Sequence, residues 1–187
     1  ANATAKVLED CAKKKLPLVL CTTGLSEEQL AKTKETAKAT AVLRSANMSL
    51  GINTLLKLLQ DASKVLAAAE FDVEIVEKHH NQKLDAPSGT ALALADSINE
   101  AMDNQYEYIY DRSQVRQKRD KKELGISAVR GGTIVGEHEV LLCGPDEVIE
   151  FKHTEYSKAV FGKGAVEAAK FLKGNGAGMY DMTDVLG

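Results

Sequence analysis

The alternation of apolar and polar positions divides the chain into two parts. Before about residue 48, short amphipathic helices alternate with brief apolar runs. Helices are predicted at 4–15 and 27–39, and Ser26 opens the second with the spacing of a capping box. The runs 18–21 and 41–45 predict short strands, the first apolar throughout, as in a parallel sheet buried on both faces. This order predicts half of a doubly wound nucleotide-binding fold.

After residue 48 the pattern becomes that of an α+β protein. A long helix with leucines on one face is followed by the strand 71–80, whose Phe71, Val73 and Ile75 share one face. Glycine-containing turns between later strands predict hairpins and hence antiparallel or mixed pairing. The further predicted elements are helices at 49–69, 89–102 and 157–173 and strands at 125–130, 133–143 and 147–157.

Composition excludes several classes of protein. The 187 residues carry a formal net charge of -3, which argues against nucleic acid or an anionic membrane as the partner. No apolar run approaches the ~20 residues of a membrane-spanning helix. Cys11, Cys21 and Cys143 are scattered and odd in number, as expected of a reduced, cytoplasmic protein.

The segment 112–122 holds six basic residues. A nucleic-acid site would need interleaved aromatic residues or a positive domain. Here Asp120 interrupts the run and Glu123 follows it, so a solvated loop is the favoured prediction and a nucleic-acid site the weaker alternative.

The stretch EKHHNQKLDAPSGTAL (77–92) concentrates polar chemistry where a strand gives way to a helix. Neighbouring strand residues point to opposite faces, so His79 and His80 cannot share a metal ion, and no further cysteine or histidine lies nearby in the sequence. We predict no metal site. Histidine exchanges its proton near neutral pH and suits a general acid, and Lys83 adds a cation.

The helix predicted after Pro87 begins with an anion-binding pattern. Its first N–H groups have no partner inside the helix, and the helix dipole favours a carboxylate or phosphate there. Ser88 can cap the helix and Gly89 allows close approach to the backbone. An ordinary serine N-cap is the alternative for such a motif taken alone.

HHNQKLDAPSGTAL closely resembles the signature of the 4-hydroxy-tetrahydrodipicolinate reductase (dihydrodipicolinate reductase) family of lysine biosynthesis. The resemblance covers essentially the whole chain and the histidine motif is highly specific. Further segments that resemble the family are CTTG at 21–24, SANMSLGIN at 45–53, VRGGTIVGEHEVLL at 129–142, HTEYSKAVFGKGAVEAAKFL at 153–172 and GMYDMTDVL at 178–186.

The resemblance implies a reductase that transfers hydride from NADH or NADPH to a cyclic dicarboxylate, giving tetrahydrodipicolinate. His79 matches the family's proton donor and Lys83 its catalytic lysine. The residues that would bind the substrate are His80, Ser88, Gly89, Thr90 and Lys158.

The resemblance also implies loops that hold the nicotinamide end of the cofactor, namely Cys21, Thr22 and Thr23, and Ser45, Ala46, Asn47 and Met48. Cys21 replaces a glycine of the family pattern. The glycine-rich pyrophosphate loop of the family is absent from the sequence, and GKGAVE at 162–167 falls inside a predicted helix. We therefore expect a truncated chain that binds cofactor weakly and is inactive alone.

The resemblance finally implies a homotetramer and two domains. Residues 1–48 and 159–187 would form a partial Rossmann-like nucleotide-binding domain, and 49–158 a mixed-sheet substrate-binding and oligomerisation domain. The fold class is thus α/β plus α+β. The alternative function is a non-catalytic dicarboxylate-binding or oligomerisation fragment.

Overall fold

The computed structural model of the protein describes residues 3–66, 69–110 and 112–187. The chain forms two compact units. One comprises Ala1–Asn53 together with Ala159–Gly187, and the other comprises Thr54–Lys158. The mixed α/β and α+β class predicted from the sequence is confirmed.

Six helices and eight strands run through the described residues, with a single 3₁₀ turn at Arg112–Gln114. In chain order they are α1 (Thr4–Lys14), β1 (Leu18–Leu20), α2 (Glu27–Ala37), β2 (Ala41–Arg44), α3 (Leu50–Leu66), β3 (Asp72–His79), α4 (Gly89–Ala101), β4 (Glu107–Ile109), β5 (Glu123–Arg130), β6 (Gly136–Cys143), β7 (Val148–Glu155), α5 (Ala159–Leu172), β8 (Gly178–Tyr180) and α6 (Met182–Leu186). Of these helices, none is long and apolar enough to cross a membrane.

The first unit contains a three-stranded parallel sheet in the order β1-β2-β8. Leu43, Met48 and Leu172 belong to its buried core. The predicted capping box of α2 is confirmed: Gln29 N–H donates to Ser26 Oγ at 3.3 Å, and Ser26 N–H donates to Gln29 Oε1 at 3.0 Å. β1 is parallel to β2, as predicted, but the prediction that it is buried on both faces is wrong, because two of its three residues are only half-buried.

The second unit is built on a five-stranded sheet in the order β4-β5-β3-β6-β7. β3 lies at the centre, parallel to β5 and antiparallel to β6. Leu59 of α3 and Leu94 and Ile98 of α4 pack with Val73 and Ile75 in one apolar core. The predicted shared face of Phe71, Val73 and Ile75 is confirmed, since all three are buried. That face holds the sheet against its two helices.

The expectation of a hairpin at Gly131-Gly132 is wrong. β5 and β6 pair with opposite sides of β3, so the turn between them crosses the end of β3. The crossing is tied down by Gly131 N–H, which donates to His79 O at 2.9 Å, and by Asn81 N–H, which donates to Gly132 O at 3.2 Å. Only β6 and β7 form the expected antiparallel hairpin.

The helix-covered face of this sheet changes from apolar to polar along β3. Residues paired across neighbouring strands form rows on this face, and the first two rows are apolar. One consists of Leu124, Val73 and Leu142, and the next of Ile126, Ile75 and Val140. Two polar rows follow, formed by Glu77, His138 and His153 and by His79, Arg130, Gly136 and Glu155. Strand register therefore gathers ionisable side chains from four strands at one end of the sheet.

The basic segment 112–122 is solvated only in part. Arg119 folds back on the sheet and its side chain is 17% exposed. Its guanidinium donates to Asp72 Oδ1 and Glu74 Oε1, both at 3.0 Å, and to Val73 O at 2.8 Å. Arg112 pairs with Glu123 in addition. The prediction of a wholly solvated loop is corrected because acidic residues of the sheet capture these two arginines.

Two glycines of α5 give a matched test of packing in the first unit. A Cβ at Gly164 would lie 1.7 Å from Met48 O, whereas one at Gly162 would meet nothing within 4 Å. Gly164→Ala should lower the free energy of unfolding by about 1–3 kcal/mol through overpacking. Gly162→Ala should raise it by up to ~1 kcal/mol through helix propensity. Urea unfolding of both variants checks this, and equal effects would contradict the close approach of α5 to residue 48.

Candidate active site

The polar end of β3 places two ionisable side chains under the helices. Alternation along the strand turns Glu77 and His79 to the face that carries Val73 and Ile75. Glu77 is 0% exposed and His79 is 7% exposed. A buried charge of this kind requires paired donors, and the surroundings of Glu77 provide them.

Four hydrogen bonds converge on the Glu77 carboxylate. Arg130 donates through Nη2 to Oε1 at 2.7 Å and through Nη1 to Oε2 at 2.8 Å. Ser88 N–H donates to Oε1 at 3.0 Å, and His79 Nδ1 lies 2.6 Å from Oε2. Burial opposes ionisation of Glu77, but the bonds from Arg130, His79 and Ser88 outweigh it and hold the pKa of the carboxyl below its usual range. The carboxylate is thus ionised, bidentate and fully partnered.

Arg130 also ties the loop after β3 to the sheet. Its Nη2 donates to Asp85 O at 2.7 Å. The hydrogen bond to Glu77 raises the pKa of the Arg130 guanidinium still further, so Arg130 stays charged whenever Glu77 is ionised.

Ser88 joins the start of α4 to a second histidine. Its Oγ accepts the Ala91 N–H at 3.1 Å, which confirms the predicted N-cap. The same oxygen lies 3.1 Å from His138 Nε2. Ser88 is only 2% exposed, so its side chain serves this internal network, while Gly89 at the first turn of α4 is exposed.

His79 and His138 stand edge to face, with ring centroids 5.2 Å apart. Burial and the neighbouring His79 lower the pKa of His138 to about 4, so His138 is neutral at physiological pH. His153 pairs with His138 across β6 and β7, and burial lowers its pKa too. The sequence motif stood apart from other histidines, yet the sheet brings two of them to it. Within the described residues, no group of three or more His, Cys, Asp or Glu side chains could hold a metal ion.

Glu155 is a buried carboxyl with an unusual environment. It is 6% exposed, and its Oε1 has no hydrogen-bond partner among the described residues. The point that a Cβ on Gly136 would occupy lies 2.6 Å from Glu155 Oε2 and 3.3 Å from His79 Nε2. Burial raises the pKa of Glu155, and the Lys83 ammonium partly offsets the rise. The absence of a side chain at Gly136 leaves room for both groups.

The remaining predicted substrate residues lie in less enclosed positions. Lys83 Nζ pairs with Asp85 Oδ1 at 2.9 Å, and this contact lowers the pKa of Asp85. His80 and Thr90 are half-buried. Lys158 is exposed between β7 and α5. Lys83 lies near enough to act on the pKa values of His138 and Glu155, the two side chains next to His79.

The predicted cofactor residues lie at the carboxyl edge of the parallel sheet in the first unit. Cys21, Thr22 and Thr23 follow β1, and 45–48 follow the adjacent β2. Asn53 was not singled out from the sequence, although its buried side chain holds the second loop by donating to Asn47 O at 2.8 Å and Ser49 O at 2.7 Å. Neighbouring loops at such an edge are where dinucleotides bind in this class of sheet, so the residues present fit a nicotinamide cofactor.

Sequence reasoning missed the side chains that surround His79. Glu77 was noted without a role, and Arg130, His138 and Glu155 were not singled out at all. One signal was available for Glu77: it occupies a core-facing position of a strand that is otherwise apolar on that face. The other three reach the site only through strand pairing.

A parallel α/β unit joined to a mixed-sheet unit with a buried histidine is the arrangement expected of a two-unit nicotinamide-dependent oxidoreductase. Residues 1–48 match the family model described as dihydrodipicolinate reductase, N-terminus, and residues 51–186 match that described as dihydrodipicolinate reductase, C-terminus. The chain belongs to the 4-hydroxy-tetrahydrodipicolinate reductase family. This match confirms the resemblance found in the sequence. The family reduces a small-molecule substrate with NAD(P)H in diaminopimelate and lysine biosynthesis.

Similar proteins from two bacteria carry this name. The chain is 53% identical over 185 residues to 4-hydroxy-tetrahydrodipicolinate reductase of Caldanaerobacter subterraneus subsp. tengcongensis, covering 99% of this chain and 73% of that one. It is 54% identical over 185 residues to the Clostridium tetani reductase, covering 99% and 72%. The chain thus spans about three quarters of the length of these relatives.

A solved structure supports the fold. Dipicolinate-bound dihydrodipicolinate reductase from Paenisporosarcina sp. TG-14 superimposes with a TM-score of 0.75 at 23% identity, covering 96% of this chain and 68% of that one. A probable dehydrogenase from Thermotoga maritima gives a TM-score of 0.54 at 11% identity, covering 98% and 71%. The fold is therefore that of the reductase and is shared with a more distant dehydrogenase.

The buried Glu155 carboxyl makes a specific pH dependence testable. Because the pKa of Glu155 is raised in the native state, this state binds more protons than the unfolded state at pH values between the two pKa values. The free energy of unfolding therefore falls as pH rises through that window. Glu155→Gln removes the titration. The variant should melt at a higher temperature than the parent at pH 8, and the gain should vanish near pH 4.

Glu150→Gln is the matched control because Glu150 is an exposed carboxylate on the same strand. Calorimetric melting at both pH values compares the two variants. An identical gain at pH 4 and pH 8 for Glu155→Gln would contradict an unpaired buried carboxyl.

Proposed function

We propose that the second unit binds the cyclic dicarboxylate substrate of the reductase and that His79 delivers the proton which the reduction consumes. The observation that carries the proposal is the buried Glu77–His79 pair beside the start of α4. It places a proton-exchanging ring next to a helix start suited to a carboxylate.

The proton-donor role rests on the different surroundings of the two nitrogens of the His79 ring. Nδ1 is engaged by Glu77 at 2.6 Å, whereas Nε2 lies on the Gly136 side of the ring, where the Glu155 carboxylate also approaches. Because Nδ1 is engaged by Glu77, the Nε2–H bond of the charged ring is the one that can break toward substrate. Lys83 adds a cation that attracts the anionic substrate and supports the charge changes during turnover.

The carboxylate-binding role rests on the first turn of α4. Glu77 already occupies the Ser88 N–H, so the amides that follow, at Gly89 and Thr90, are the ones we assign to a substrate carboxylate. His80, which directly follows β3, and Lys158 are assigned to the other polar groups of the substrate. The dipicolinate held by the Paenisporosarcina enzyme has the same dicarboxylate chemistry.

We assign Cys21, Thr22, Thr23 and Ser45, Ala46, Asn47 and Met48 to the nicotinamide end of NADH or NADPH. When bound, the cofactor supplies the hydride. The chain's own contribution is a pair of loops that follow parallel strands, one of them fixed by Asn53. The domain roles follow: nucleotide binding for 1–48 with 159–187, and substrate binding for 49–158.

We further propose a cytoplasmic homotetramer assembled through the face of the five-stranded sheet that the helices leave uncovered. That face presents half-buried Val76 and Leu141 together with the ion pairs of Lys78 with Glu137 and of Lys152 with Glu137. The three cysteines, all free, accord with a reducing compartment.

Dicarboxylate binding to this chain tests the substrate site. Pyridine-2,6-dicarboxylate should bind in a calorimetric titration, and Thr90→Pro should weaken binding by roughly tenfold or more, because proline removes one N–H donor to a charged group worth about 1.5–3 kcal/mol. Proline is tolerated in the first turn of a helix. Thr90→Ala keeps the N–H and serves as the control. Absence of heat, or equal affinity of the two variants, would sink the assignment.

Turnover tests the proton-donor assignment separately. In a full-length form of the reductase that is active, His79→Gln and Lys83→Ala should each lower kcat by roughly 10²-fold or more while cofactor affinity stays nearly constant. Lys64→Ala, a change at an exposed lysine of α3, is the control. Near-normal turnover of His79→Gln would move the role elsewhere, with His153 the next candidate.

A further inference from the structure

We infer that Glu77 is a positioning residue: it fixes the tautomer of His79 and, through the same carboxylate, the placement of that ring relative to the start of α4. The inference deepens the proposed function, since it rests on His79 as the proton donor. It concerns a residue that the sequence motif alone leaves without a role.

The tautomer follows from the donors around Glu77. Arg130 and the Ser88 amide can only donate, so the carboxylate acts as an acceptor toward each of them. The ionised carboxylate can only accept from His79 as well, and the 2.6 Å contact therefore requires a hydrogen on Nδ1. In the neutral ring Nε2 is then left as the acceptor, and in the charged ring Nε2–H is the donor that faces Gly136 and Glu155.

The placement follows from the sharing of one carboxylate by two elements. Oε2 contacts His79, two residues away on the same strand, and Oε1 contacts the Ser88 amide at the N-cap of α4. Glu77 thus links the proton-donating ring to the helix start assigned to the substrate carboxylate. A displaced Glu77 would move both groups at once, and small displacements of this kind are costly in catalysis.

The bidentate bond from Arg130 makes such a link compatible with an anionic substrate. An unpaired carboxylate near the start of α4 would repel a dicarboxylate. Arg130 neutralises Glu77 within 2.8 Å and is held in turn by Asp85 O. The pair therefore orients His79 without adding net charge to the site.

The hydrogen on His79 can be measured directly in the unmodified protein. Histidine labelled with ¹⁵N distinguishes protonated from unprotonated ring nitrogens, and His79→Gln assigns the signal among the four histidines. At a pH where the ring is neutral, His79 should carry its hydrogen on Nδ1. A hydrogen on Nε2 would overturn the inference. Neither result depends on turnover. The position of the hydrogen can therefore be judged whether or not the proposed reductase site is correct.

Glu77→Gln tests the consequence for catalysis. Its amide nitrogen would replace one acceptor oxygen, removing the demand for a hydrogen on Nδ1. We expect the His79 tautomer to change and kcat to fall by roughly 10²–10⁴-fold, with KM changed by less than about threefold. Glu100→Gln is the matched control because it makes the same change at an exposed carboxylate of α4. An unchanged tautomer with unchanged kcat in folded Glu77→Gln would overturn the inference. If that variant fails to fold, the measurement on the unmodified protein still decides.

Discussion

The second unit depends on satisfying one buried carboxylate. Removing a partner from a buried ion pair costs about 3–5 kcal/mol, a large fraction of the stability of an ordinary domain. Glu77 draws its donors from three elements: β5 through Arg130, β3 itself through His79, and the start of α4 through Ser88. A slip of one residue in the register of β3 would turn Glu77 to the opposite face of the sheet and leave Arg130 without its carboxylate partner. The same bonds that stabilise the unit therefore fix the geometry of its site.

Much of the fold could be predicted from the sequence because the relevant signals are local. Apolar periodicity places the helices, and a capping box fixes the start of α2. The three-residue strands β4 and β8 were missed because they are too short to show a periodicity and lack the wholly apolar run that marks β1. Sheet order was missed for a different reason: Gly131-Gly132 has the composition of a hairpin turn, and only the pairing of both flanking strands with β3 reveals a crossing.

The candidate site divides in the same way. His79, Lys83 and the start of α4 lie within one short stretch, so their proximity could be predicted from spacing. The partners that tune them come from far along the chain: Arg130 is 53 residues from Glu77, and His138 is 50 residues from Ser88. No periodicity encodes such distances. A charged residue on the apolar face of a strand is the signal that sequence reasoning can use, since it implies that donors will arrive from elsewhere.

The central position of β3 has a consequence for synthesis. Both strands that flank it are made later, and the carboxyl end of β6 lies 64 residues beyond the carboxyl end of β3 in the sequence, Cys143 against His79. A nascent chain that has released β3 and α4 from the ribosome still lacks the partners of its central strand. Sheet formation must wait for residues near the end of the unit, and sheets dominated by distant pairings assemble slowly. During that interval both edges of β3 lack their hydrogen-bonding partners, and unpaired strand edges make a nascent chain prone to aggregation and a target for chaperones.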